Sequence, residues 1–399
     1  MKRLKQVLNI KSKNYLKIIK FLTRAGAQVR LVGGVVRDTL LERTIKDIDM
    51  ATDFTPLQVT EALEAHGVKV IPTGIKFGTV SAIMNKEVFE ITTLRKDLSC
   101  DGRRAYVEYS NDFREDAQRR DFTINALSYC PIKQEIYDYF GGIDDLNNHK
   151  VVFIGNADER IREDYLRILR FFRFSCKYSK EINKDALEAC VRFKDKLHLL
   201  SGERIKHEMD IILSCERSPY VLATMYDSGI TQAIFPVTIY DQSLHLKAIN
   251  VAKLFNIPLD LNVMYAILFN VSLKKLLELK FSRSSALVVT KLLQLKKSLD
   301  KESVATLLKT IWLEEKSFTG YFVFTAALLD DNKIVYDLFA RWKNREIPKF
   351  PINGNDLIKL GYAGKKLGSL IKNLKHKWIK SDFALNKKEL IDLVKNCEI

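Results

Sequence analysis

The sequence predicts an α+β protein, with a mixed sheet in residues 1–150 followed by an elongated remainder that is all helical. Two observations support this fold class. Short apolar runs bounded by turn residues, which are typical of strands, recur as far as residue 140, whereas almost every pattern after residue 157 has the period of a helix. The hydrophobic content of 47% is enough for real cores, and 399 residues favour several domains.

Local patterns predict the elements of the first part in order. An amphipathic helix is expected in NYLKIIKFLTRAG, and short helices in VVRDTLLE and PLQVTEALEAHG. Strands are expected at VRLV (29–32), IKDIDMAT, KVIPT, GTVSAIM and EVFEITTL, and DFTINALSYC and QEIYDYF close the sheet. Residues 95–120 are polar and lack a clear period, so we expect a long functional loop there.

The charge distribution predicts a polyanionic partner. The chain has 65 Lys and Arg against 49 Asp and Glu, a net charge of +16, for which RNA or DNA is the default partner. Residues 341–399 contain 14 basic and 6 acidic side chains. Within IKNLKHKWIK (371–380), lysines interleaved with Trp378 suit binding to a phosphate backbone, although a solvated basic face is the alternative. These lysines are Lys372, Lys375, Lys377 and Lys380.

The cysteines and the apolar stretches argue against a zinc site, a redox dithiol and a membrane span. The cysteines are scattered without CxxC spacing, which is typical of reduced thiols in a cytosol. The longest apolar stretch, NVMYAILFNVSL, is too short to cross a bilayer. We therefore expect a cytoplasmic protein, with an organellar signal as the minor alternative because no acidic residue precedes Asp38.

Two short motifs indicate a phosphate site and a metal site. LVGGVVRD places Gly33 and Gly34 between a strand and a helix, where backbone amides can approach a phosphate, although many such turns lack that role. In KDIDM, Asp47 and Asp49 stand two apart in a strand, so both carboxylates should share one face. Neighbouring carboxylates raise one another's pKa unless a cation lies between them, and Mg²⁺ prefers such oxygen ligands.

An ordered set of motifs then resembles a known family. GGVVRD…DIDMATD, FEITTLR, EDAQRRDFTINAL, DYFGGIDDL, EDYLRILRFFRF and ERIKHE follow one another within residues 31–208. Together they resemble the class II tRNA nucleotidyltransferases, the CCA-adding enzymes, with bacterial poly(A) polymerases as close relatives. FPINGNDLIKLGYAGKKLGSLIKNL is similar to the tail segment of the same family.

The resemblance implies a division of the chain into four parts. These are a nucleotidyltransferase head with a polymerase β-like palm at 1–150, a nucleobase-selecting helical neck at 151–210, a helical body at 211–310 and a helical, tRNA-binding tail at 311–399. The head is expected to be catalytic, with two Mg²⁺ ions as its cofactors.

The resemblance also implies roles for individual residues of the head. Asp47 and Asp49 would be the catalytic metal ligands, and Glu90 could be a third ligand or a structural residue. Contacts to the nucleotide are implied for Gly33, Gly34, Arg37 and Arg120. In RRDFTINAL, Arg119 precedes Arg120, and Asp121 and Asn125 are expected to orient neighbours or the ribose.

RKDLSCDGRRAYVEYSNDFREDAQ resembles the flexible loop that family members need to add the terminal A. Gly102 offers a pivot, and Arg95, Asp97 and Arg103 could pair across the site. The presence of this motif favours complete CCA addition over an enzyme that adds only CC.

Two further motifs are interpreted as structural. DYFGGIDDL is expected to be a hinge whose acids cap the next element, and its residues are Asp138, Gly141, Gly142 and Asp145. In GERIKHE, Arg204 and Glu208 stand four apart and are expected to form an ion pair that braces the neck.

The segment RIREDYLRILRFFRF predicts a single helix that selects the base. Asp164 and Arg167 are three apart and would be neighbours on that helix. A carboxylate beside a guanidinium matches the amino donor and ring-nitrogen acceptor of cytosine and adenine, whereas uracil and guanine show the reverse pattern. Arg170 and Arg173 continue the series and are expected to reach the ribose or the triphosphate.

The sequence thus predicts template-independent addition of CCA to the 3′ end of tRNA from CTP and ATP, with release of pyrophosphate. The tRNA would be bound through its 3′ end and its acceptor and T arms, by a monomer or a homodimer. The alternatives are a poly(A) polymerase, a CC-adding or A-adding enzyme, and a catalytically inactive RNA-binding protein. VIPTGIKFGTV stands where poly(A) polymerases usually carry a GRRF-type signature, which favours CCA addition.

Overall fold

The structure is a computed structural model. It describes residues 13–45, 47–100, 105–236, 238–298, 308, 318–329, 333–342 and 348–396. The chain divides into two compact units, residues 1–236 and 237–399. The first unit contains all the strands among the described residues, and the second is helical there, which confirms the predicted α+β class.

The first unit begins with a mixed sheet and its helices. Its strands are β1 (Val29–Val32), β2 (Asp49–Thr52), β3 (Lys69–Gly74), β4 (Thr79–Met84), β5 (Glu87–Thr93), β6 (Arg95–Cys100), β7 (Ala105–Tyr109), β8 (Ser128–Cys130) and β9 (Glu135–Tyr137). The helices of this part are α1 (Asn14–Arg24), α2 (Gly34–Leu40), α3 (Pro56–Glu64), α4 (Phe113–Gln118) and α5 (Gly142–Asn147). Seven strands form one sheet in the order β3-β4-β5-β2-β1-β8-β9, in which only β2 and β5 run parallel.

One face of this sheet is closed by a hydrophobic core. Met50 of β2 and Phe89 and Ile91 of β5 pack there with Ile18 and Leu22 of α1. Because side chains alternate along a strand, the residues between them point to the other face. Asp49 and Glu90 are directly paired in the register of β2 and β5, so both carboxylates lie on the face opposite this core.

The sequence signals for helix ends agree with the structure at α3. Thr55 accepts a hydrogen bond from Gln58 N, and the Gln58 side chain accepts one from Thr55 N, which is a capping box. Pro56 at the first position has no amide hydrogen to satisfy. These local bonds fix where the chain turns from β2 into the helix that covers the core.

The prediction of one long loop at residues 95–120 is wrong. β6 and β7 pair as a two-stranded antiparallel ribbon, with Arg95 opposite Tyr109, and α4 follows them. Asp112 begins α4 by accepting a hydrogen bond from Arg114 N at 2.8 Å. The sequence of β6, RKDLSC, is mostly polar and has no sustained alternation of apolar residues, which is why the pattern indicated a loop.

The rest of the first unit is helical. Its helices are α6 (Ala157–Glu163), α7 (Leu166–Tyr178), α8 (Lys184–Arg192), α9 (Gly202–Leu213), α10 (Ser218–Asp227) and α11 (Ile230–Ile234). RIREDYLRILRFFRF is therefore two helices, α6 and α7, and the prediction of one continuous helix is wrong. The break falls at Asp164, whose backbone is extended (φ −155°, ψ 106°).

The second unit contains nine described helices. They are α12 (Gln242–Leu254), α13 (Leu261–Leu268), α14 (Leu273–Glu278), α15 (Arg283–Ser298), α16 (Phe318–Leu328), α17 (Lys333–Trp342), α18 (Gly354–Ile358), α19 (Gly364–Lys380) and α20 (Lys387–Lys395). Near its end, Leu374 and Trp378 of α19 pack against Leu390 and Val394 of α20. Among the described residues, no helix combines the length and apolar character needed to span a membrane.

Candidate active site

A polar cleft of about 530 Å³ lies in the first unit. It is lined by Gly33, Gly34, Arg37, Asp49, Arg119, Arg120, Asp121, Asn125, Asp164, Leu166, Arg167, Arg170, Phe174 and Arg204. The cleft therefore brings together residues from the two glycines, the DxD motif, the arginine pair and the helices α7 and α9. The six arginines that line the cleft favour an anionic ligand, for which a triphosphate is well suited.

Both the backbone conformation and the close packing at position 33 require glycine there. Gly33 has φ +69°, a conformation that side-chain-bearing residues rarely adopt. A Cβ built on Gly33 would lie 2.8 Å from Arg120 Nη1. Gly33 thus lets the Arg120 guanidinium approach the start of α2, where Gly34 begins the helix.

The acidic side of the cleft centres on Asp49. Burial raises the pKa of Asp49, and the neighbouring carboxylates of Glu90 and Asp47 raise it further against the opposing effect of Arg120. Asp47 is exposed and precedes β2, which begins at Asp49, so the prediction that both lie within one strand is wrong. In the part of the chain that the structure describes, no three His, Cys, Asp or Glu side chains gather as a metal-binding cluster. Glu90 as a third metal ligand stays a prediction.

The sequence reasoning missed Asp116, which holds the arginine pair. Its carboxylate is 3% exposed and accepts hydrogen bonds from Arg119 Nη2 at 2.7 Å and Arg120 Nη2 at 3.0 Å. Burial alone would raise the pKa of Asp116, but the Arg120 and Arg119 guanidiniums outweigh it and hold this pKa below its ordinary value. The spacing ED–x₂–RR was the available signal, since an acid three and four residues before two arginines can reach both on a helix.

Asp116→Asn should lower the free energy of unfolding by about 1–3 kcal/mol, because two guanidiniums lose their buried acceptor. Since the folded-state pKa of Asp116 is depressed, its contribution is present at neutral pH and is lost as the pH falls below the ordinary aspartate value of about 3.9. Urea unfolding of both proteins from pH 7 to pH 3 measures this. Asp112→Asn is the matched control, since asparagine caps a helix as well as aspartate. Equal stability of wild type and Asp116→Asn at pH 7 would contradict the assignment.

A second buried acid connects the head to the helices that follow. Asp121 accepts hydrogen bonds from Asn125 Nδ2 at 2.9 Å and from Arg170 Nε at 2.7 Å. Asn125 Oδ1 in turn accepts one from Arg37 Nη1. Arg37 is further paired with Asp38 at 2.9 Å. The expectation that Asp121 and Asn125 orient their neighbours is consistent with these bonds.

The partners of Asp164 differ from those that the sequence predicted. Its Oδ1 accepts a hydrogen bond from Leu166 N at 3.0 Å, which starts α7, and its Oδ2 pairs with Arg204 Nη2 at 2.6 Å. The expected Arg204–Glu208 ion pair is therefore wrong. Asp164 and Arg167 do not stand on one helix, although both line the cleft.

The Arg167 guanidinium donates hydrogen bonds to three acceptors, none of which belongs to Asp164. It donates to Glu163 Oε2 at 2.7 Å and to the carbonyls of Arg160 and Arg119 at 3.0 and 3.1 Å. These bonds fix the guanidinium at the cleft wall before any ligand binds. Glu163 was not among the predicted site residues, although its spacing of four from Arg167 could have indicated the pair.

Arg173 does not line the cleft, contrary to the expectation that it reaches the ribose or triphosphate. Its Nε lies 2.8 Å from Oε2 of Glu208, which is 3% exposed in its side chain. Burial lowers the pKa of Arg173 and raises that of Glu208, and each charge partly offsets the effect on the other. This pair joins α7 to α9.

The predicted loop residues are only partly described. Arg95 donates to the carbonyl of Phe77, and Asp97 lies in β6 opposite Val107. Gly102 and Arg103 lie outside the described residues. Arg95 is not among the residues that line the cleft.

The expected hinge motif forms a compact turn. Asp138 accepts hydrogen bonds from Gly142 N at 2.9 Å and Ile143 N at 2.8 Å, so it caps α5 as expected. Asp145 instead accepts one from Thr123 Oγ1 at 2.6 Å. A Cβ on Gly142 would lie 2.3 Å from the Thr123 carbonyl oxygen, so glycine is required for this close approach.

The predicted basic segment lies on α19. Lys372 and Lys380 are exposed, and Lys375 and Lys377 are half-buried. Trp378 is 2% exposed and belongs to the core between α19 and α20, so its expected place among the phosphate-binding residues is wrong. Trp378 among the lysines therefore marks the buried side of the amphipathic helix α19.

Comparisons with known proteins agree with this architecture. The family model described as "Poly A polymerase head domain" matches residues 29–152, and the one described as "Probable RNA and SrmB- binding site of polymerase A" matches residues 181–241. Two solved structures share the fold with a TM-score of 0.73. They are the CCA-adding enzyme of Bacillus stearothermophilus in complex with CTP (23% identity, 96% of this chain and 98% of that one) and that of Thermotoga maritima complexed with tRNA (22%, 99% and 98%).

The curated relatives extend over almost the whole chain. CCA tRNA nucleotidyltransferase 1, mitochondrial, of Mus musculus is 33% identical over 396 residues, which cover 95% of this chain and 89% of that protein. Identity of 33% over this length shows that the two proteins share a family as well as a fold. The chain therefore belongs to the CCA tRNA nucleotidyltransferases, the CCA-adding enzymes.

Proposed function

We propose that the protein adds C, C and A in turn to the 3′ end of tRNA, using CTP and ATP and no nucleic-acid template. The observation that supports the proposal is that one cleft is lined by Asp49 at the start of β2, by Gly33 and Gly34 of the glycine turn, and by six arginines together with Asp164. The test is a reaction of purified protein with tRNA lacking its 3′ end and each NTP singly and combined. Products read at nucleotide resolution should end in CCA.

The same reaction separates the proposal from its relatives. A poly(A) polymerase, whose head domain matches residues 29–152, would extend the RNA with many A residues. A CC-adding enzyme would stop after two additions, an A-adding enzyme would extend only tRNA that already ends in CC, and an inactive RNA-binding protein would give no product. Each outcome other than CCA would contradict the proposal.

The donor set at Asp49 fits a divalent metal ion. Asp49 is half-buried, and its position in β2 pairs with that of Glu90 in β5. Burial and the like charges of Glu90 and Asp47 raise the pKa of Asp49, and a hard dication would relieve this repulsion. Asp47 and Asp49 would hold Mg²⁺, which would favour the ionised form of the attacking hydroxyl and stabilise the charge of departing pyrophosphate.

The chain's own residues bind and orient the substrates. We infer that Arg120 and Arg37, beside the glycine turn, bind the triphosphate, because both guanidiniums line the cleft and are fixed by Asp116 and by Asp38 and Asn125. The terminal 3′-hydroxyl of tRNA attacks the α-phosphate, and pyrophosphate leaves. Fixed guanidiniums favour the developing negative charge without reorganisation during the reaction.

Asp164 and Arg167 would recognise the base. Asp164 Oδ2 is an acceptor held by Arg204, and Arg167 is a donor held by Glu163, so the two opposite functions are fixed separately at one wall. Cytosine and adenine both offer the complementary donor and acceptor. The pair would therefore accept C and A and reject U and G.

Neutralising the four α19 lysines (Lys372, Lys375, Lys377 and Lys380) to Gln should weaken tRNA binding and flatten its salt dependence. Each lost phosphate contact should reduce the slope of log K against log salt by roughly 0.7–0.9. Filter binding at several salt concentrations measures the slope. Neutralising Lys69, Lys76, Lys86 and Lys133, exposed lysines of the first unit, is the matched control. An unchanged slope for the α19 variant would show that this face does not contact the RNA backbone.

Replacing Gly102 and Arg103 by Ala should impair addition of A more than addition of C. Both residues belong to the motif that resembles the family's flexible loop, and the change from C to A requires the pocket to accept a larger base. Single-turnover rates with tRNA lacking CCA and with tRNA ending in CC give the comparison. Equal losses at every position would make this segment a general structural part.

The location and the oligomeric state stay predictions. The name of the mouse relative places that protein in mitochondria, so an organellar location is as compatible with the comparisons as the cytoplasm. A monomer or a homodimer remains expected from the sequence.

A further inference from the structure

A buried tyrosine at the end of α7 contacts the start of the head. Tyr178 is the last residue of α7 and is 6% exposed. Its hydroxyl donates a hydrogen bond to Asp38 Oδ1 at 2.9 Å, across 140 residues of sequence. Tyr178 is not among the residues that line the cleft, whereas Arg37, the neighbour of Asp38, is one of them. The contact therefore lies directly behind one wall of the cleft.

The Asp38 carboxylate connects the tyrosine to Arg37. The same Oδ1 that accepts from Tyr178 also accepts from Arg37 Nε at 2.9 Å, and Oδ2 accepts from Arg37 Nη2 at 3.0 Å. Such a bidentate pair fixes the plane of a guanidinium. The remaining nitrogen, Arg37 Nη1, donates to Asn125 Oδ1. The orientation of Arg37 thus depends on the orientation of Asp38, to which Tyr178 donates.

Two aromatic rings of α7 also lie against this guanidinium. Arg37 Cζ is 4.2 Å from the ring centroid of Tyr178 and 5.3 Å from that of Phe174. The two rings stack with centroids 5.8 Å apart, as residues four apart on one helix can. Phe174 itself lines the cleft. Cation–π contact adds to the hydrogen bonds and holds the guanidinium against α7.

We propose that Tyr178 is a positioning residue for the triphosphate of the incoming nucleotide, because its hydroxyl orients Asp38 and Asp38 orients Arg37. The inference rests on the proposed function, in which Arg37 binds the triphosphate. Burial raises the pKa of Tyr178, so its hydroxyl remains a protonated donor at neutral pH. CTP and ATP carry the same triphosphate, so Tyr178 should affect both equally and should not change the choice of base.

The test is Tyr178→Phe, which removes the hydroxyl and keeps the ring. The Kd for CTP, for ATP and for inorganic tripolyphosphate should each rise roughly three- to tenfold, the effect of one lost hydrogen bond. KM should rise with them, while kcat, the Kd for tRNA and the preference for CTP over UTP stay unchanged. Calorimetric titration in Mg²⁺ buffer and steady-state kinetics measure these values. Wild-type affinity for tripolyphosphate would overturn the proposal.

Tyr137→Phe is the matched control. The Tyr137 hydroxyl also donates to a carboxylate, Glu135 Oε2 at 2.8 Å, and its ring centroid lies 3.5 Å from Arg30 Cζ. Tyr137 is not among the residues that line the cleft. The control removes the same kind of hydrogen bond beside the same kind of cation, and it should leave KM and both affinities unchanged. An equal loss in Tyr137→Phe would overturn the positioning role.

A double-mutant cycle with Arg37→Lys tests whether Tyr178 acts through Arg37. Arg37→Lys breaks the bidentate pair and should weaken tripolyphosphate binding, and adding Tyr178→Phe should then cause little further loss. Additive losses would overturn the proposal. Wild-type binding by Arg37→Lys would instead contradict the triphosphate role of Arg37, whereas a loss in Arg37→Lys with none in Tyr178→Phe would overturn the positioning role alone. Should Arg37→Lys fail to fold, the comparison of Tyr178→Phe with Tyr137→Phe decides.

Discussion

Asp49→Asn should abolish addition of both C and A while leaving tRNA affinity nearly unchanged. The carboxylate lies on the face of the sheet opposite the core, in register with Glu90, and lines the cleft. Metal-assisted charge stabilisation contributes several kcal/mol, and each 1.4 kcal/mol is about tenfold in rate, so we expect a loss of about 10³-fold or more. The measurements are kcat for CTP and ATP and the Kd for tRNA. Asp47→Asn should behave in the same way.

Asp53→Asn is the matched control for this loss. Asp53 follows the same strand, and its Oδ1 accepts a hydrogen bond from Gln28 N at 2.8 Å, outside the cleft. It therefore removes one negative charge near β2 without touching the proposed metal ligands. Wild-type turnover by purified Asp49→Asn, or an equal loss in Asp53→Asn, would contradict the metal assignment.

The strands of the head could be predicted from the sequence because their signals are local. β1 covers VRLV as expected, β4 and β5 fall within the predicted segments, and β3 extends one residue past KVIPT. The order of strands in the sheet has no local signal, since β2 lies between β1 and β5 while β3 and β4 occupy one edge. The motifs pointed to Gly33, Asp49, Arg120 and Asp164, and the fold brings these four residues to one cleft, whereas the predicted Arg173 lies outside it.

The break between α6 and α7 could not be predicted from periodicity. The buried apolar residues Ile161, Ile168 and Phe172 keep helical spacings of seven and four residues across it. Asp164 ends the helix because its side chain bonds to Leu166 N and its other oxygen to Arg204, a partner 40 residues away. A side chain whose main partner is distant in sequence leaves no mark in a local pattern.

The same reason explains the remaining ion pairs of the site. Asp121 pairs with Arg170 across 49 residues, and Glu208 pairs with Arg173 although Arg204 stands nearer in sequence. Spacing of three or four residues predicts contacts within one helix but says nothing about competing partners on a neighbouring helix. Only the structure shows which carboxylate each arginine pairs with.

The arrangement around Asp164 makes asparagine the sharper substitution there. Asp164→Ala would remove the acceptor that starts α7, whereas asparagine keeps a carbonyl oxygen for Leu166 N. The amide nitrogen would then replace the Oδ2 acceptor, which faces Arg204 and the cleft. Asp164→Asn therefore changes hydrogen-bond polarity at the proposed base-reading position while it preserves the local fold. Asp49 and Arg120 are left in place.

Asp164→Asn should reduce discrimination against UTP and GTP by about one to two orders of magnitude, because one mismatched polar contact costs roughly 1–3 kcal/mol. Arg167 still presents donors to the ring N–H of uracil and guanine, so one of the two mismatches remains and the preference should weaken without reversing. Values of kcat/KM for all four NTPs on tRNA ending in CC, and on tRNA lacking CCA, measure the effect. Asp158→Asn, which makes the same change on α6 at a residue paired with Arg192, is the control. If Asp164→Asn keeps the wild-type preference for CTP and ATP, then the base is selected elsewhere and Asp164 serves only to join α7 to Arg204.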